Sequence, residues 1–320
     1  MKKIQRLDVV FIGCCVFALM LAMLVFIWNA YHEHYYLDFQ WMGGLPNYYV
    51  MAFFCIVYFI SIFFGNSSMF VVVAKSIAML ELTLCIIGFC NTAILTTPFP
   101  THDQFISHLD QLLGFHELSV LRMVHEHIIF QPLIWNCYFS LLAVIHFLPI
   151  SLMVSRNVES SYHYYCSFMV SIIIGYSCYY FFPTMTSPAA IYPHHYFTDF
   201  QLNTLHQFQL EHLHKMIHFD LVGGIISFPS FHAIWAVFVI YFLWPYGWIR
   251  YVGIIYGILI FATSVLTGWH YLVDVFSGIG VALLSLWISR YFLYARSSKT
   301  LITEQRTKYI TKSFDYPTSI

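Results

Sequence analysis

Eight long apolar runs dominate the chain. They cover Val9–Ala30, Pro46–Phe64, Met69–Leu95, Ile129–Val154, Tyr164–Phe182, Ser230–Trp244, Ile249–Thr267 and Tyr271–Tyr294. A bilayer core about 30 Å thick takes about 20 residues of helix. The pattern therefore predicts an all-α polytopic membrane bundle of about eight transmembrane helices. Ser230–Trp244 is short for a full crossing, which sets its first turn below one membrane face. A count two lower follows if the second or third run is re-entrant. Lys2, Lys3 and Arg6 precede the first run, as in a signal peptide. That run is longer than a signal's apolar core, and no small-residue cleavage site follows it, so it reads as an uncleaved first span.

Composition agrees. Hydrophobic residues make up 60% and charged residues 9%, with mean hydropathy +0.71. An average globular chain has about 45–50% and about 25%, so a soluble domain is excluded. The net charge of −1 leaves no basic footprint for nucleic acid. The cations are sided. With a cytoplasmic N-terminus, Lys2, Lys3, Arg6, Lys75, Arg156, Arg250, Arg290, Arg296, Lys299, Arg306, Lys308 and Lys312 lie on the cytoplasmic side. Only Arg122 and Lys215 fall outside. This positive-inside asymmetry predicts cytoplasmic termini, in the inner membrane if the source is bacterial. It leaves two longer segments, about 96–128 and 183–229, on the outer side. All eight Cys fall within runs and form no C-x-x-C motif, so no disulfide framework is implied. From Ser297 the chain is polar and reads as a solvated end. No internal repeat of the transporter kind is present.

Two blocks stand apart from this background. Ser227-Phe228-Pro229-Ser230-Phe231-His232-Ala233 opens the sixth run, and Gly268-Trp269-His270-Tyr271-Leu272-Val273-Asp274 opens the eighth. The sixth span leaves the outer face and the seventh returns to it, so the blocks meet there. His270 and Asp274 are spaced i, i+4, which on a helix puts them on one face. The carboxylate then orients one imidazole nitrogen and leaves the other as nucleophile or base. The alternative is a helix-end Asp bonding backbone amides beside a plain interfacial His. Ser230 after Pro229 reads as a helix N-cap. It is either a cap alone or part of an anion site at the free amides. Together the blocks suit an anion held between two His.

The Pro-Ser-x-His and His-x-x-x-Asp blocks resemble the type-2 phosphatidic acid phosphatase superfamily. The closer resemblance is to its inositol-phosphorylceramide-synthase-like, inositolphosphotransferase-type branch. There Phe-Pro-Ser-(Phe/Leu)-His-(Ala/Ser) is followed after two spans by His-Tyr-x-x-Asp. The segment from Pro98 to Phe115 resembles that branch too, and the similarity covers about residues 95–292. It implies His270 as the nucleophile taking the phosphoryl group, Asp274 as its orienting carboxylate and His232 as general acid for the leaving alcohol. It implies a metal-independent reaction with no cofactor, on a lipid phosphate or phosphodiester substrate, by hydrolysis or head-group transfer. It divides the chain into a membrane extension (1–68), a phosphatase/phosphotransferase-like membrane domain (69–296) with a six-helix core, and a cytoplasmic tail (297–320). The active site would face the periplasm or exterior.

The chain departs from the wider superfamily in one respect. It has no Lys-x6-Arg-Pro block, and Thr263 and Ser264 stand where Ser-Arg is usual. Phosphoryl transfer needs donors or cations on its developing charge. Lys215, 17 residues before His232, is the better-placed outer cation, and with Ser230 it is the candidate phosphate-binding pair. A non-catalytic lipid-binding or transport protein on the same scaffold is the rival reading, supported by Glu81, Lys75 and the missing cations.

The 17 His outnumber the 14 Lys and Arg. By this topology all but His146 and His163 lie outside or at the outer face. His206, His212, His214 and His218 cluster there, as interfacial packing, a pH-responsive coat or, with His214 and His218 at i, i+4, a zinc site. Glu81, inside the third run, either bonds Asn91 or a neighbouring Ser or Thr, stays neutral, or serves function. The 24 Tyr and 32 Phe read as span and belt material.

Overall fold

A computed structural model describes residues 2–33, 45–64, 68–95, 97–214 and 226–314. Among these the regular structure is all helical. The helices are α1 (Lys2–Glu33), α2 (Leu45–Phe64), α3 (Met69–Leu95), α4 (Asp103–Leu112), α5 (Glu117–Glu126), α6 (Gln131–Val154), α7 (Val158–Phe181), α8 (Asp199–His214), α9 (Phe231–Leu243), α10 (Ile249–Leu266) and α11 (Leu272–Phe314). Each of the eight predicted runs lies on one helix, and α11 continues past the last run to Phe314. Segments of α1, α3, α6, α10 and α11 are long and apolar enough to cross a membrane, so the protein is a polytopic helical membrane protein. The 27 residues of α3 reach about 40 Å at 1.5 Å each, too long for a re-entrant hairpin arm. Helix α9 has 13 residues, about 20 Å, well short of a bilayer core.

Helix α7 is the axis of the bundle and touches α1, α3, α6, α9 and α11. Its sequence is rich in Tyr and Ser, yet positions 161–172 are all buried. Polar side chains survive in a membrane interior when protein groups satisfy them. Tyr165 donates to the Ser76 carbonyl (2.8 Å), Tyr180 to Asn29 Oδ1 (2.5 Å), and Ser167 and Ser289 pair at 2.6 Å. Pro149 inside α6 has no N–H to offer the Ile145 carbonyl. Tyr164 of α7 donates to that freed carbonyl instead (3.2 Å). Large apolar side chains such as Phe63, Phe70 and Trp287 face outward, as a lipid-facing belt requires.

Near the start of α1 lies a buried ion pair. Lys75 Nζ sits 2.9 Å from Asp8 Oδ1 and 3.2 Å from Oδ2. Tyr58 (2.8 Å) and Tyr162 also donate to Asp8 Oδ1. The cluster binds α1, α2, α3 and α7 together. Lys75, counted above among cytoplasmic-side cations, is 1% exposed and serves this pair. Glu81 is half-buried and bonds neither Asn91 nor a Ser or Thr among the described residues.

At the opposite end, α4, α5 and α8 fold over the bundle with the loop at residues 182–198. Ile106, Leu121, Ile191, Phe197 and Tyr271 form a second, smaller apolar cluster there. This roof lies directly over the starts of α9 and α11.

Candidate active site

Two loops and two helix starts build the site. Gly268 adopts φ +72°, a conformation glycine reaches without strain, and ends α10 in a tight turn. A Cβ there would meet Leu121 and Phe197 of the roof at 2.9 and 3.0 Å. The turn leaves His270 ahead of α11, not on it. The i, i+4 helical face expected for His270 and Asp274 is therefore corrected: Asp274 is in the first turn of α11 and His270 precedes the helix.

The orientation of His270 differs too. Its Nδ1 lies 3.0 Å from the Ser227 carbonyl and 3.8 Å from Asp274 Oδ2. A carbonyl only accepts, so Nδ1 carries the proton and Nε2 keeps its lone pair. Asp274 acts through Ser227, whose hydroxyl donates to Oδ2 at 2.6 Å. The Tyr271 amide also donates to Oδ2, at 2.9 Å. The helix-capping alternative for Asp274 and its neighbourhood to His270 are thus both present. Asp274 Oδ1 is buried without a partner among the described residues. His270 is 4% exposed and Asp274 0%.

Ser230 is the N-cap of α9. Its hydroxyl accepts from the Ala233 amide (3.3 Å), and its own N–H donates to the Asp274 carbonyl (3.0 Å). The latter bond ties the start of α9 to the start of α11. Gly278 permits this approach, since a Cβ there would lie 2.4 Å from the Ser230 carbonyl oxygen. His232, in the first turn of α9, faces His270 with ring centroids 5.6 Å apart. Its Nε2 is buried and unpartnered among the described residues. The structure thus brings together Ser230, His232, His270 and Asp274. Lys215 lies outside the described residues.

Four contributors were not singled out in the sequence. Tyr138 of α6 stacks on His232 (3.9 Å between centroids, 12° between planes) and holds its hydroxyl 3.4 Å from His270 Nε2. Asp110 of α4 accepts from the amides of Leu272 (2.7 Å) and Val273 (2.9 Å), capping α11 from outside. Asp103 accepts from the Met185 amide (2.9 and 3.2 Å) and from the Tyr271 hydroxyl (3.4 Å). Both Asp residues lie in the Pro98–Phe115 segment whose likeness to a known branch was noted, and that was the available signal. Thr184 anchors the first block, its hydroxyl accepting from the Phe228 amide at 2.8 Å.

The electrostatics are one-sided. Burial pushes the Asp103 carboxyl up to about 7, with the nearby Asp274 charge adding to it. Burial also raises Asp110, against hydrogen bonds from Leu272 and Val273 that lower it. Glu117, fully enclosed, is raised well above the usual range by burial. Among the described residues no Lys or Arg bonds to the site. Arg122 is exposed and pairs with Glu126 at 2.8 Å. Thr263 and Ser264 bond within α10 to the Ile260 carbonyl.

Among the described residues no three His, Cys, Asp or Glu are placed to hold a metal. His212 stacks on Phe208, and burial lowers its pKa. His218 and the side chain of His214, the pair considered for zinc, lie outside the described set. The eight Cys are free thiols.

No curated protein and no solved structure matches the chain. A family model described as the PAP2 superfamily matches residues 104–288, from α4 into α11. That stretch is more than half of the chain and contains both blocks, the roof and Tyr138. On this match, the chain belongs to the PAP2 superfamily.

Proposed function

We propose that the protein is a membrane-embedded lipid phosphatase or phosphotransferase working through a phosphohistidine at His270. Family membership supports the lipid-phosphatase-like class. The observation that carries the mechanism is the anchoring of His270: Nδ1–H donates to the Ser227 carbonyl, so Nε2 presents its lone pair on the His232 side. Nε2 attacks phosphorus, the bond to the leaving alcohol breaks, and His232 gives that oxygen its proton. Water or a second alcohol then attacks the phosphohistidine, with His232 taking the proton back. The Asp274 charge, 3.8 Å from Nδ1, stabilises the imidazole as it becomes cationic.

Ser230 and the first-turn amides of α9 are the proposed phosphate cradle. Lys215 is added on sequence position alone. The inositolphosphotransferase-type branch is favoured by the Phe-Pro-Ser-Phe-His-Ala and His-Tyr-x-x-Asp wording and by Thr263 and Ser264 in place of Ser-Arg. Residues 69–296 are the proposed catalytic domain, with α1 and α2 as its membrane extension. The cation asymmetry supports cytoplasmic termini and a site on the outer face. A short α9 supports a site at headgroup depth, where a lipid phosphate lies.

The test supplies phosphatidic acid, an isoprenyl pyrophosphate and phosphatidylinositol in turn to wild type and His270→Ala. Turnover of at least one by wild type, falling by at least about 10³-fold in the variant, is expected, the scale on which losing a covalent nucleophile registers. Equal turnover by both forms would sink the reading. Adding an alcohol acceptor separates transfer from release of inorganic phosphate.

A further inference from the structure

We infer that Tyr138 is a catalytic phosphate donor, in a site to which no Lys or Arg bonds among the described residues. The inference rests on the phosphohistidine reading above. Several other buried tyrosines of the bundle spend their hydroxyls on structure: Tyr164 on the Ile145 carbonyl, Tyr165 on the Ser76 carbonyl, Tyr180 on Asn29. Tyr138 is as deeply buried, at 3% exposure, yet its hydroxyl has one described partner, His270 Nε2. That contact is 3.4 Å, beyond the usual range for a good hydrogen bond. The nitrogen it reaches is the one assigned as nucleophile. Its ring, flat against His232, joins the two imidazoles from a third helix.

A group this close to Nε2 is also close to any phosphoryl group bonded there. As Nε2 closes on phosphorus, its lone pair is consumed and stops accepting. The phenol O–H then turns to a non-bridging phosphoryl oxygen, where charge builds. No proton leaves Tyr138. The Nε2–P bond forms, the P–O bond to the leaving group breaks, and His232 supplies the only proton transferred. A donor fixed beforehand in a site shielded from water is strong, because it needs no reorganisation during reaction. In the resting state the same hydroxyl covers the lone pair of the nucleophile.

The experiment compares full-length wild type, Tyr138→Phe, Tyr138→Leu and His270→Ala in phosphatidic acid mixed micelles. Inhibition by orthovanadate, which takes the five-coordinate shape of a phosphoryl transition state, is measured on each. Tyr138→Phe keeps the ring and removes the donor. It is expected to lower kcat by about 10²-fold, the cost of one oxyanion donor, with a much smaller change in KM. It should weaken vanadate inhibition by a similar factor while the thermal melt stays near wild type. Tyr138→Leu, which also unstacks His232, should lose more. The inference is overturned if Tyr138→Phe matches wild type in kcat and vanadate inhibition while His270→Ala is inactive, or if only KM moves. If Tyr138→Phe does not fold, vanadate inhibition of a Tyr138→Trp variant, which returns a ring donor, must exceed that of Tyr138→Leu or the inference fails. Full activity of His270→Ala would instead overturn the parent reading.

Discussion

The bundle holds two buried polar clusters, one at each end, and they are finished differently. At one end Asp8 receives Lys75, Tyr58 and Tyr162. The carboxylate has a cation and two hydroxyl donors from three other helices. At the other end Asp274 is equally buried but has no cation among the described residues, and one of its oxygens is unpartnered. His232 Nε2 is unpartnered as well, and the contact on His270 Nε2 is long. Leaving buried polar atoms unpaired costs free energy, of order 1–3 kcal/mol each. A cluster built only to hold helices together would satisfy them, as the Asp8 cluster does. On the proposed reading, the two imidazole Nε2 atoms are the ones left for a phosphate that brings its own oxygens.

Mutation separates the clusters by readout. Asp274→Asn is expected to lower kcat by up to about 10⁴-fold, the scale seen when an orienting carboxylate is removed from a histidine, and to leave the fold intact. Steady-state kinetics beside a melting curve checks this. A loss of folding with no kinetic effect in the residual active fraction would make Asp274 the equal of Asp8. Lys75→Met should do the opposite. It strands a buried carboxylate and should cost about 3–5 kcal/mol of stability, read as a lowered midpoint in denaturant. The pH–rate profile of whatever remains folded should be unchanged. The double change Asp8→Leu with Lys75→Met should recover much of the loss.

Smaller effects sharpen the contrast. Asp103 titrates near 7 in the fold against about 3.8 unfolded. Its folded pKa is the higher, so the folded state binds more protons in between. Stability should therefore fall as pH rises from about 4 to 7 and level off above. Thermal melts across that window should show a shallower fall for Asp103→Asn. An unchanged slope would mean that Asp103 is ionised throughout. Arg122→Ala should change neither turnover nor melting, because its pair with Glu126 is solvent-exposed. A large kinetic loss there would show that the site draws on this cation.

Much of the frame was legible in the sequence. All eight apolar runs became helices, and the short run before Trp244 became the short helix α9. The juxtaposition of His232 and His270 followed from counting crossings. Local geometry did not follow. The i, i+4 spacing suggested a helical face for His270 and Asp274, but the turn at Gly268 delays α11 until Leu272, so the carboxylate reaches the imidazole through Ser227. Tyr138 was hidden for a different reason. It is 132 residues from His270 in sequence. Among 24 tyrosines, only the packing of α6 against α9 and α10 distinguishes it. Asp110 carried only the family likeness of its segment, because a helix capped by a side chain from another element leaves no mark in its own sequence.

The most direct test of the central claim is the covalent intermediate. His232→Ala is incubated with a radiolabelled lipid phosphate that wild type turns over. It is then quenched in alkaline denaturant, which preserves phosphohistidine, and the labelled peptide is sequenced. The predicted result is label on the peptide containing His270, absent when His270 is also replaced. Turnover by wild type with no protein-bound label, or label on any other residue, would contradict the account.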